Sequence, residues 1–487
     1  MQAAACLLLL LPIATGLLQW RIAWNRARRW GVTLSLGVTL GVAGWLAAHS
    51  SDQGVVIWEG ALTAGAPLLL APDRLGCGFA LLAGIIWFLV SLFGHDYYAQ
   101  GGHPERAGSF YLFFLMALSG LMGLSLAGNL LTLYLFFELT ALATLPLILL
   151  TGTRAAFSAA LQYLGYSVLG AALGLWGIWM LHSMGGNDPF TPGGMLELTG
   201  GDTGPLLVCC LIMGLGFGCK GGLLPLHGWL PAAHPVAPAP ASGVLSGIIT
   251  KTGVLALIRL LYYVYPPSLL QGSWAQSALL TLALLSIFTG SMLAYGEKGI
   301  KRCFAFSSVS QVGYALFGVF LLTPQGLWGA VLQLVCHGMT KTALFLCAGT
   351  LAERAGITNR DQLGGIARRT PGLTAVLALC AGSLVGIPPL GGFAAKWSLG
   401  LGALEAGLGV LSGLGVFVLL LSGLLTAGYL LPMLADCLFG TDNRKPPLGL
   451  SSWTAFPLGA LGTGALAVGL LPGFLTCWIA ALLACLG

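Results

Sequence analysis

The sequence predicts an all-α, polytopic membrane protein. Of its 487 residues, 57% are hydrophobic and only 7% are charged, whereas a soluble protein has roughly 25% charged residues. The mean hydropathy is +0.90, and apolar runs long enough to cross a bilayer recur from one end of the chain to the other. These observations exclude a soluble enzyme and favour a single membrane domain.

Apolar runs near the ~20 residues that a transmembrane helix needs occur about fourteen times. We predict spans at residues 3–19, 30–48, 75–94, 110–127, 128–150, 157–183, 205–222, 238–262, 274–295, 303–323, 326–351, 372–392, 407–435 and 453–471. The first run, Met1 to Trp20, has no basic leader and is interpreted as a retained helix rather than a signal peptide. Residues 54–70 fit a β-hairpin, and whether residues 474–486 form a fifteenth helix stays open.

The loop charges orient these spans. With the N-terminus outside, fifteen of the twenty-one basic residues lie in inward loops, and Arg74 alone lies in an outward loop. The outward loops contain the acids Asp52, Glu59, Asp73, Asp188, Glu197 and Asp202. Because Lys and Arg mark the cytoplasmic side of a membrane protein, we predict fourteen spans with both termini outside, in a plasma (inner) membrane of the bacterial type.

The remaining composition argues against other classes of protein. The net charge of +6 comes from residues between the apolar runs, so it does not indicate a nucleic-acid partner. The twelve cysteines show no CxxC pair and no spacing typical of metal ligands, and dinucleotide, P-loop, haem and iron–sulfur motifs are missing from the sequence. We therefore expect no cofactor and no metal, with the cysteines acting as small apolar residues.

Six ionisable residues are left at membrane depth once the loop charges are subtracted. Glu138 is the clear acid, and the bases are Lys220, Lys251, Arg259, Lys341 and Lys396. Arg259, near the outer end of its span, is expected to snorkel to the surface. A charge at the centre of a span costs at least ~2.5–3.5 kcal/mol, so the other five imply a hydrated or paired interior. One acid cannot neutralise four lysines, and lysine, unlike arginine, can release a proton when it is desolvated; the pattern favours a titrating chain over static ion pairs.

Two spans are interrupted beside these lysines. Lys220 precedes glycines, Pro225 and His227, and Pro388 with Pro389 precedes Lys396. Proline frees a backbone carbonyl that protein or water must satisfy in a membrane, and paired interruptions are typical of inverted-repeat transporters. The two interruptions in this chain are compatible with repeats over 110–262 and 274–435, flanked by 1–109 and 436–487. The alternative is that both are ordinary proline kinks. Pro225, Pro388, His227 and His234 are candidates for gating or proton entry, although His234 also fits a solvated loop.

His337 and Lys341 are four residues apart, so they share one face of a helix. Histidine titrates near neutrality and would bridge lysines of higher proton affinity; a hydrogen-bonded core histidine is the alternative. The neighbouring cluster Ser307, Ser308, Ser310 and Gln311 would either hold water or bond its own backbone.

Several long segments, HGWLPAAHPVAPAPASGVLSGIITKTGVLALIR, SSVSQVGYALFG, HGMTKTALFLCAGTL and GIPPLGGFAAKWS, resemble the proton-translocating antiporter-like subunits. These occur in respiratory complex I, Mrp-type Na⁺/H⁺ antiporters and group 4 membrane hydrogenases, and the likeness covers about 110–435. It implies two inverted five-helix repeats, other membrane subunits as partners, and a proton relay. The relay positions are Glu138, Lys220, Lys251, His337 or Lys341, and Lys396. The run HGWLPAAHPVAP is most similar to the D-type subunit of Mrp antiporters and to the hydrogenase-type relatives.

Three hypotheses follow from the sequence. The first is a proton-translocating subunit of a multisubunit pump or antiporter, with Na⁺ passing, if at all, through a neighbouring subunit. The second is a membrane scaffold held together by static buried ion pairs. The third is a complex I subunit coupled to quinone reduction; because the sequence has no redox motif, any redox chemistry would belong to another chain.

Overall fold

The computed structural model describes residues 1–20, 26–63, 66–100, 104–184, 189–196, 203–441 and 448–486. The helices are α1 (Gln2–Gln19), α2 (Arg26–His49), α3 (Arg74–Gln100), α4 (Ala107–Ser125), α5 (Leu130–Leu149), α6 (Arg154–Ser183), α7 (Gly204–Gly221), α8 (Trp229–Val236), α9 (Ala239–Val244), α10 (Thr250–Arg259), α11 (Pro267–Leu270), α12 (Trp274–Gly296), α13 (Ile300–Leu321), α14 (Pro324–Ala355), α15 (Ile366–Arg369), α16 (Pro371–Val385), α17 (Gly391–Glu405), α18 (Val410–Phe439), α19 (Ser452–Leu470) and α20 (Thr476–Leu486).

The rest of the described chain contains short elements. The π-helical segments Leu245–Ile249 and Leu260–Val264 continue α9 and α10, and 3₁₀ turns occupy Pro104–Arg106, Arg360–Gln362 and Pro472–Leu475. Strands β1 (Trp58–Thr63) and β2 (Ala66–Leu70) pair antiparallel, with Trp58 opposite Leu70. The β-hairpin predicted over 54–70 is thereby confirmed.

Within the described residues, thirteen helices are long and apolar enough to cross a membrane, with Ala239–Val264 counted as one. The fold is therefore the all-α polytopic bundle that the sequence predicts. The twelfth predicted span, 372–392, has the wrong boundary: α16 ends at Val385, and the separate helix α17 follows from Gly391. Neither half alone is long enough to span, so together they account for this twelfth crossing and bring the total from thirteen to the fourteen that the sequence predicts. Helix α20 has only 11 residues, fewer than a fifteenth span needs.

Contacts between loops agree with the relative sidedness deduced from their charges. Arg354, in the last turn of α14, pairs with Asp96 near the end of α3 at 2.5 Å, and both helix ends are predicted to face inward. Arg74 and Asp52 pair at 3.1 Å where outward ends meet. The loop charges Arg21, Asp188, Glu197, Asp202, Arg444 and Lys445 lie outside the described residues.

Three spans form the centre of the bundle. In the apolar 18-residue stretch of each span, Ala239–Val264 and α13 are completely buried and α14 is 94% buried. The corresponding stretches of the peripheral α1, α6 and α18 are only 28–33% buried, and these helices present large apolar side chains such as Trp179 and Leu420 to their surroundings. The central spans carry Lys251, His337 and Lys341, so these groups lie deep inside protein.

Candidate functional site

Glu138 and Lys220 line one small cavity between α5, α6 and α7. Its volume of about 10 Å³ is the space of roughly one water molecule. Lys220 is buried, and its Nζ donates a 2.5 Å hydrogen bond to the Tyr163 hydroxyl. Glu138 Oε1 is buried without a hydrogen-bond partner. The two side chains are therefore neighbours that make no direct ion pair.

Helix α7 ends directly after Lys220. Gly222 takes a left-handed conformation with a φ of 78°, which glycine adopts without strain, and the chain becomes helical again only at Trp229. The Trp229 Nε1 donates to the Cys219 carbonyl at 3.0 Å, satisfying one of the carbonyls that a helix end leaves free. Lys220 thus lies at the carbonyl end of a helix, where the dipole favours a cation.

The three candidate gating residues in this first half occupy different environments. Pro225 is exposed and His227 is half-buried on the connection from α7 to α8. His234 is completely buried, neither ring nitrogen has a partner, and the ring stacks on Phe345 at 4.5 Å. A solvated position for His234 is therefore wrong, because α8 packs this residue against α14.

Lys251 lies at the start of α10, just after the π-helical segment Leu245–Ile249. It is 1% exposed. Its Nζ donates to the Ser246 carbonyl and lies 3.4 Å from Thr250 Oγ1. A π-helical turn interrupts the regular i→i−4 bonding and is frequent at functional sites. Here it presents the Ser246 carbonyl to the lysine.

His337 and Lys341 share a buried face of α14, as their spacing predicts, and are 2% and 0% exposed. Lys341 Nζ donates to the Phe304 carbonyl at 2.9 Å, and His337 Nε2 has no hydrogen-bond partner. A Cβ on Gly338 would lie 2.9 Å from the Gly247 carbonyl oxygen. The absence of a side chain at Gly338 lets α14 approach the π-helical segment closely.

A serine pair joins the surroundings of Lys251 and Lys341. The hydroxyls of Ser246 and Ser308 lie 2.7 Å apart, and Ser308 also donates to the Phe304 carbonyl at 2.9 Å. Because the single hydroxyl proton of Ser308 is used in the bond to Phe304, Ser246 is the donor in the serine pair. Lys251 donates to the carbonyl of Ser246, and the Ser246 hydroxyl bonds Ser308. Ser308 and Lys341 donate to the same Phe304 carbonyl. Ser308 bonds its own backbone, which is one of the two alternatives for this cluster, and it also bonds Ser246 across a helix interface.

Lys396 lies on α17, beyond the second break. Its Nζ donates to the carbonyls of Leu384 at 2.5 Å and Val385 at 3.0 Å, which belong to the open end of α16. The side chain is half-buried and lines an apolar cleft of about 630 Å³ between α17 and α18. Pro388, the fourth gating candidate, is exposed on the break. Lys396 is therefore the most accessible of the four deep lysines.

One buried ionic cluster was not anticipated from the sequence. Arg259 is 1% exposed and forms two hydrogen bonds with the Asp73 carboxylate, at 2.5 and 2.6 Å. The Tyr263 hydroxyl donates to the same carboxylate at 2.9 Å. The expectation that Arg259 snorkels is wrong, because Asp73 at the start of α3 reaches it inside the bundle. In the sequence, an apolar helix that ends in arginine and tyrosine only weakly indicates that a buried carboxylate binds there.

No group of three or more metal-ligating side chains lies together in the described ranges. The cysteines are unpaired thiols, most of them buried. The polar groups that do converge are amines, hydroxyls and backbone carbonyls. The amines and hydroxyls can bind and pass protons, since each can donate and, when the amine is neutral, accept, whereas the carbonyls only accept hydrogen bonds.

Residues 127–422 match the family model described as NADH:quinone oxidoreductase/Mrp antiporter, transmembrane. The N-type subunit of the NADH-quinone oxidoreductase of Desulforudis audaxviator is 33% identical over 415 residues, which cover 80% of each chain. The D-type subunit of the Na⁺/H⁺ antiporter of Bacillus subtilis is 29% identical over 379 residues, covering 78% of this chain and 75% of the relative. Identity therefore does not favour the D-type antiporter subunit over the N-type oxidoreductase subunit.

The fold is also that of known membrane complexes. A chain of the Mrp complex from Dietzia sp. DQ12-45-1b superposes with a TM-score of 0.85 at 23% identity, over 99% of this chain and 97% of that one. The predicted resemblance, which rested on the segments around Lys251, Lys341 and Lys396, is confirmed. The chain belongs to the NADH:quinone oxidoreductase/Mrp antiporter family of transmembrane subunits.

Proposed function

We propose that this chain translocates protons along Glu138, Lys220, Lys251, His337 or Lys341, and Lys396. The observation that carries the proposal is the connection from Lys251 through Ser246 and Ser308 to Lys341. Two completely buried amines lie at the ends of this connection, and the two serine hydroxyls between them can each accept and release a proton. Both amines are supported by neutral oxygens, which stabilise an ammonium without fixing it as a carboxylate would.

Glu138 sets the proton affinity of Lys220 in this mechanism. A nearby carboxylate favours the charged amine, and loss of that carboxylate favours proton release. The water-sized cavity separates the two groups, so a small movement of α5 relative to α7 changes their interaction. Release from Lys220 then passes a proton towards Lys251.

The two breaks supply the ends of the route. The connections that contain Pro225 with His227 and Pro388 are exposed or half-buried, in contrast to the closed centre. We place proton entry and exit there, with His234 as a buried intermediate near α14. The repeats 110–262 and 274–435, related by inversion, account for one broken helix with a lysine beside the break in each half.

The scaffold hypothesis explains the described contacts less well. Arginine makes the buried or partly buried carboxylate pairs at Asp73 and Asp96, whereas the four deep lysines donate to hydroxyls and carbonyls. A static scaffold would pair its charges, because an unpaired buried charge is costly.

Relatives function as subunits of multisubunit membrane complexes, so this subunit has other membrane subunits as partners. We place the assembly in a plasma membrane of the bacterial type with both termini of this chain outside, and any Na⁺ transport in a neighbouring subunit. Coupling to quinone reduction remains the alternative for the parent complex, since an NADH-quinone oxidoreductase subunit is among the relatives.

The test is proton transport by the intact complex in proteoliposomes, followed with a pH-sensitive dye trapped inside. Lys251→Ala and Lys220→Ala should each abolish transport while the complex still assembles. Lys298→Ala, which removes an exposed lysine, is the matched control and should transport normally. Normal transport by both buried-lysine variants would disprove the relay.

A further inference from the structure

Hydroxyl side chains line the interface between α13 and α18, where the relay described above has no residue. We call the following set the hydroxyl ladder: Ser307, Ser310 and Tyr314 on α13, and Ser422, Thr426 and Tyr429 on α18. All six are 0% exposed. An apolar interface between helices does not require hydroxyls, and each buried hydroxyl needs a hydrogen bond to offset its desolvation.

The centre of the ladder is a cluster of three serines. Ser310 and Ser422 lie 3.2 Å apart, and Ser291 of α12 lies 2.8 Å from Ser310 and 2.5 Å from Ser422. Each hydroxyl has one proton and can accept others. The direction of these bonds is therefore not fixed by the heavy-atom positions, and it can reverse without moving a helix.

One end of the ladder lies beside the group that holds Lys341. The Tyr429 hydroxyl donates to Ser307 Oγ at 2.7 Å, and it also lies beside the Thr426 side chain. Thr426 in turn donates to the Ser422 carbonyl at 2.7 Å. Ser307 follows Phe304 by one helical turn, and the Phe304 carbonyl accepts from Lys341.

The other end of the ladder lies beside Lys396. The Tyr314 hydroxyl donates to the Leu419 carbonyl at 3.2 Å and lies beside the Ser422 side chain. Lys396 Nζ lies 5.1 Å from the centre of the Tyr314 ring. Ser307 and Tyr314 are seven residues apart, about 10 Å along the helix axis. The ladder thus extends along α13 from the turn that follows Phe304 to the Tyr314 ring beside Lys396.

We propose that the hydroxyl ladder passes protons between Lys341 and Lys396. In one transfer the Lys341 ammonium loses a proton to a bridging water, each water and hydroxyl along the route accepts one proton and releases another, and the neutral Lys396 amine becomes an ammonium. Water completes the route at both lysines and beside Thr426, whose hydroxyl donates to the Ser422 carbonyl, because a carbonyl cannot release a proton. Each hydroxyl ends neutral with its hydrogen bond reversed and rotates back before the next transfer, and no bond other than O–H and N–H is broken or formed. This role rests on the proposed function and assigns its last step to α13 and α18.

The experiment uses the intact complex in proteoliposomes. Tyr429→Phe and Ser310→Ala each remove one hydroxyl, and proton transport should fall about a hundredfold, the lower end of what a positioned proton-transfer group contributes. Tyr262→Phe is the matched control, because it removes a buried hydroxyl that donates to the Val319 carbonyl away from the ladder. Ser422→Thr keeps a hydroxyl and should retain more transport than Ser422→Ala.

A structural role is separated by two further measurements. Under the proposal, the melting temperatures of Tyr429→Phe and Tyr262→Phe are similar, and the ratio of transport rates in H₂O and D₂O rises only in the ladder variants. If the loss of transport in each variant is proportional to its loss of melting temperature, and Ser422→Thr transports no better than Ser422→Ala, the hydroxyls serve only in packing and the proposal is overturned.

Lys251→Ala distinguishes this step from the relay as a whole. If that variant stops transport while Tyr429→Phe and Ser310→Ala behave like Tyr262→Phe, the ladder is wrong and the relay stands. If Lys251→Ala transports normally, the proposed function fails first, and the ladder fails with it.

Discussion

Lys396 Nζ donates to the Leu384 carbonyl at 2.5 Å, across the break that separates α17 from α16. The lysine of one half-helix therefore caps the open carbonyl end of the other. The break leaves these carbonyls without partners in α16, and the amine of Lys396, on the helix that follows the break, donates to them. This arrangement couples the protonation of Lys396 to the geometry of the break, since only the ammonium form offers three N–H donors without an acceptor.

The first prediction separates the charge of Lys396 from its capping role. Lys396→Met should abolish proton transport and destabilise the protein by about 1–3 kcal/mol, the cost of leaving buried carbonyls without donors. Lys396→Gln keeps an N–H donor without a titrating amine, so it should recover part of the stability but none of the transport. Thermal unfolding in detergent and dye-based transport measure the two effects. Transport by Lys396→Gln at the native rate would contradict the relay role.

The second prediction concerns the buried pair of Asp73 and Arg259. Arg259→Met alone leaves a buried carboxylate without its cation and should destabilise the protein by about 3–5 kcal/mol. The double variant Asp73→Leu with Arg259→Met removes both charges and should be more stable than Arg259→Met. Thermal unfolding of the purified protein decides between these outcomes.

The control for that pair is Arg74→Ala. Arg74 pairs with Asp52, and both side chains are 41% exposed, so the change should cost about 0–1 kcal/mol. Equal destabilisation by Arg74→Ala and Arg259→Met would show that burial does not determine the strength of these pairs.

The positions of the deep lysines could be predicted because charge is conspicuous in an apolar sequence. Proline and glycine likewise marked both broken helices. Their exact ends were less predictable: the run from Gly386 to Gly392 contains no polar residue, so hydropathy continued the twelfth span to residue 392 although α16 ends at Val385.

Long-range partners were the least predictable features. Asp73 and Arg259 are 186 residues apart in the chain, and each alone resembles an ordinary charge at a helix end. The serine pair at Ser246 and Ser308 depends on a π-helical turn that no periodicity indicates. These features arise from tertiary packing, which brings together residues whose local sequences carry no shared signal.

The third prediction tests the close approach of α14 to the π-helical segment. Gly338→Ala places a Cβ 2.9 Å from the Gly247 carbonyl oxygen, so the two segments must move apart. Proton transport should fall because Lys251, which follows the π-helical segment directly, then moves away from His337 on α14. Gly413→Ala is the matched control, since no atom lies within 4 Å of its Cβ position, and it should leave transport unchanged. Native transport by Gly338→Ala would show that this contact tolerates displacement.

The last prediction is a double-mutant cycle on Ser246 and Ser308. Each hydroxyl is completely buried, and each is needed for the connection from Lys251 to Lys341, so Ser246→Ala and Ser308→Ala should each slow proton transport. Because both variants interrupt the same connection, the double variant should be little slower than either single variant, a non-additivity of about 0.5–3 kcal/mol in the transport barrier. Ser125→Ala, which removes an equally buried hydroxyl that donates to the Leu121 carbonyl of α4, should leave the rate unchanged. Fully additive effects of the two substitutions would mean that the serines act independently, and the connection between the central lysines would then have to run through other groups.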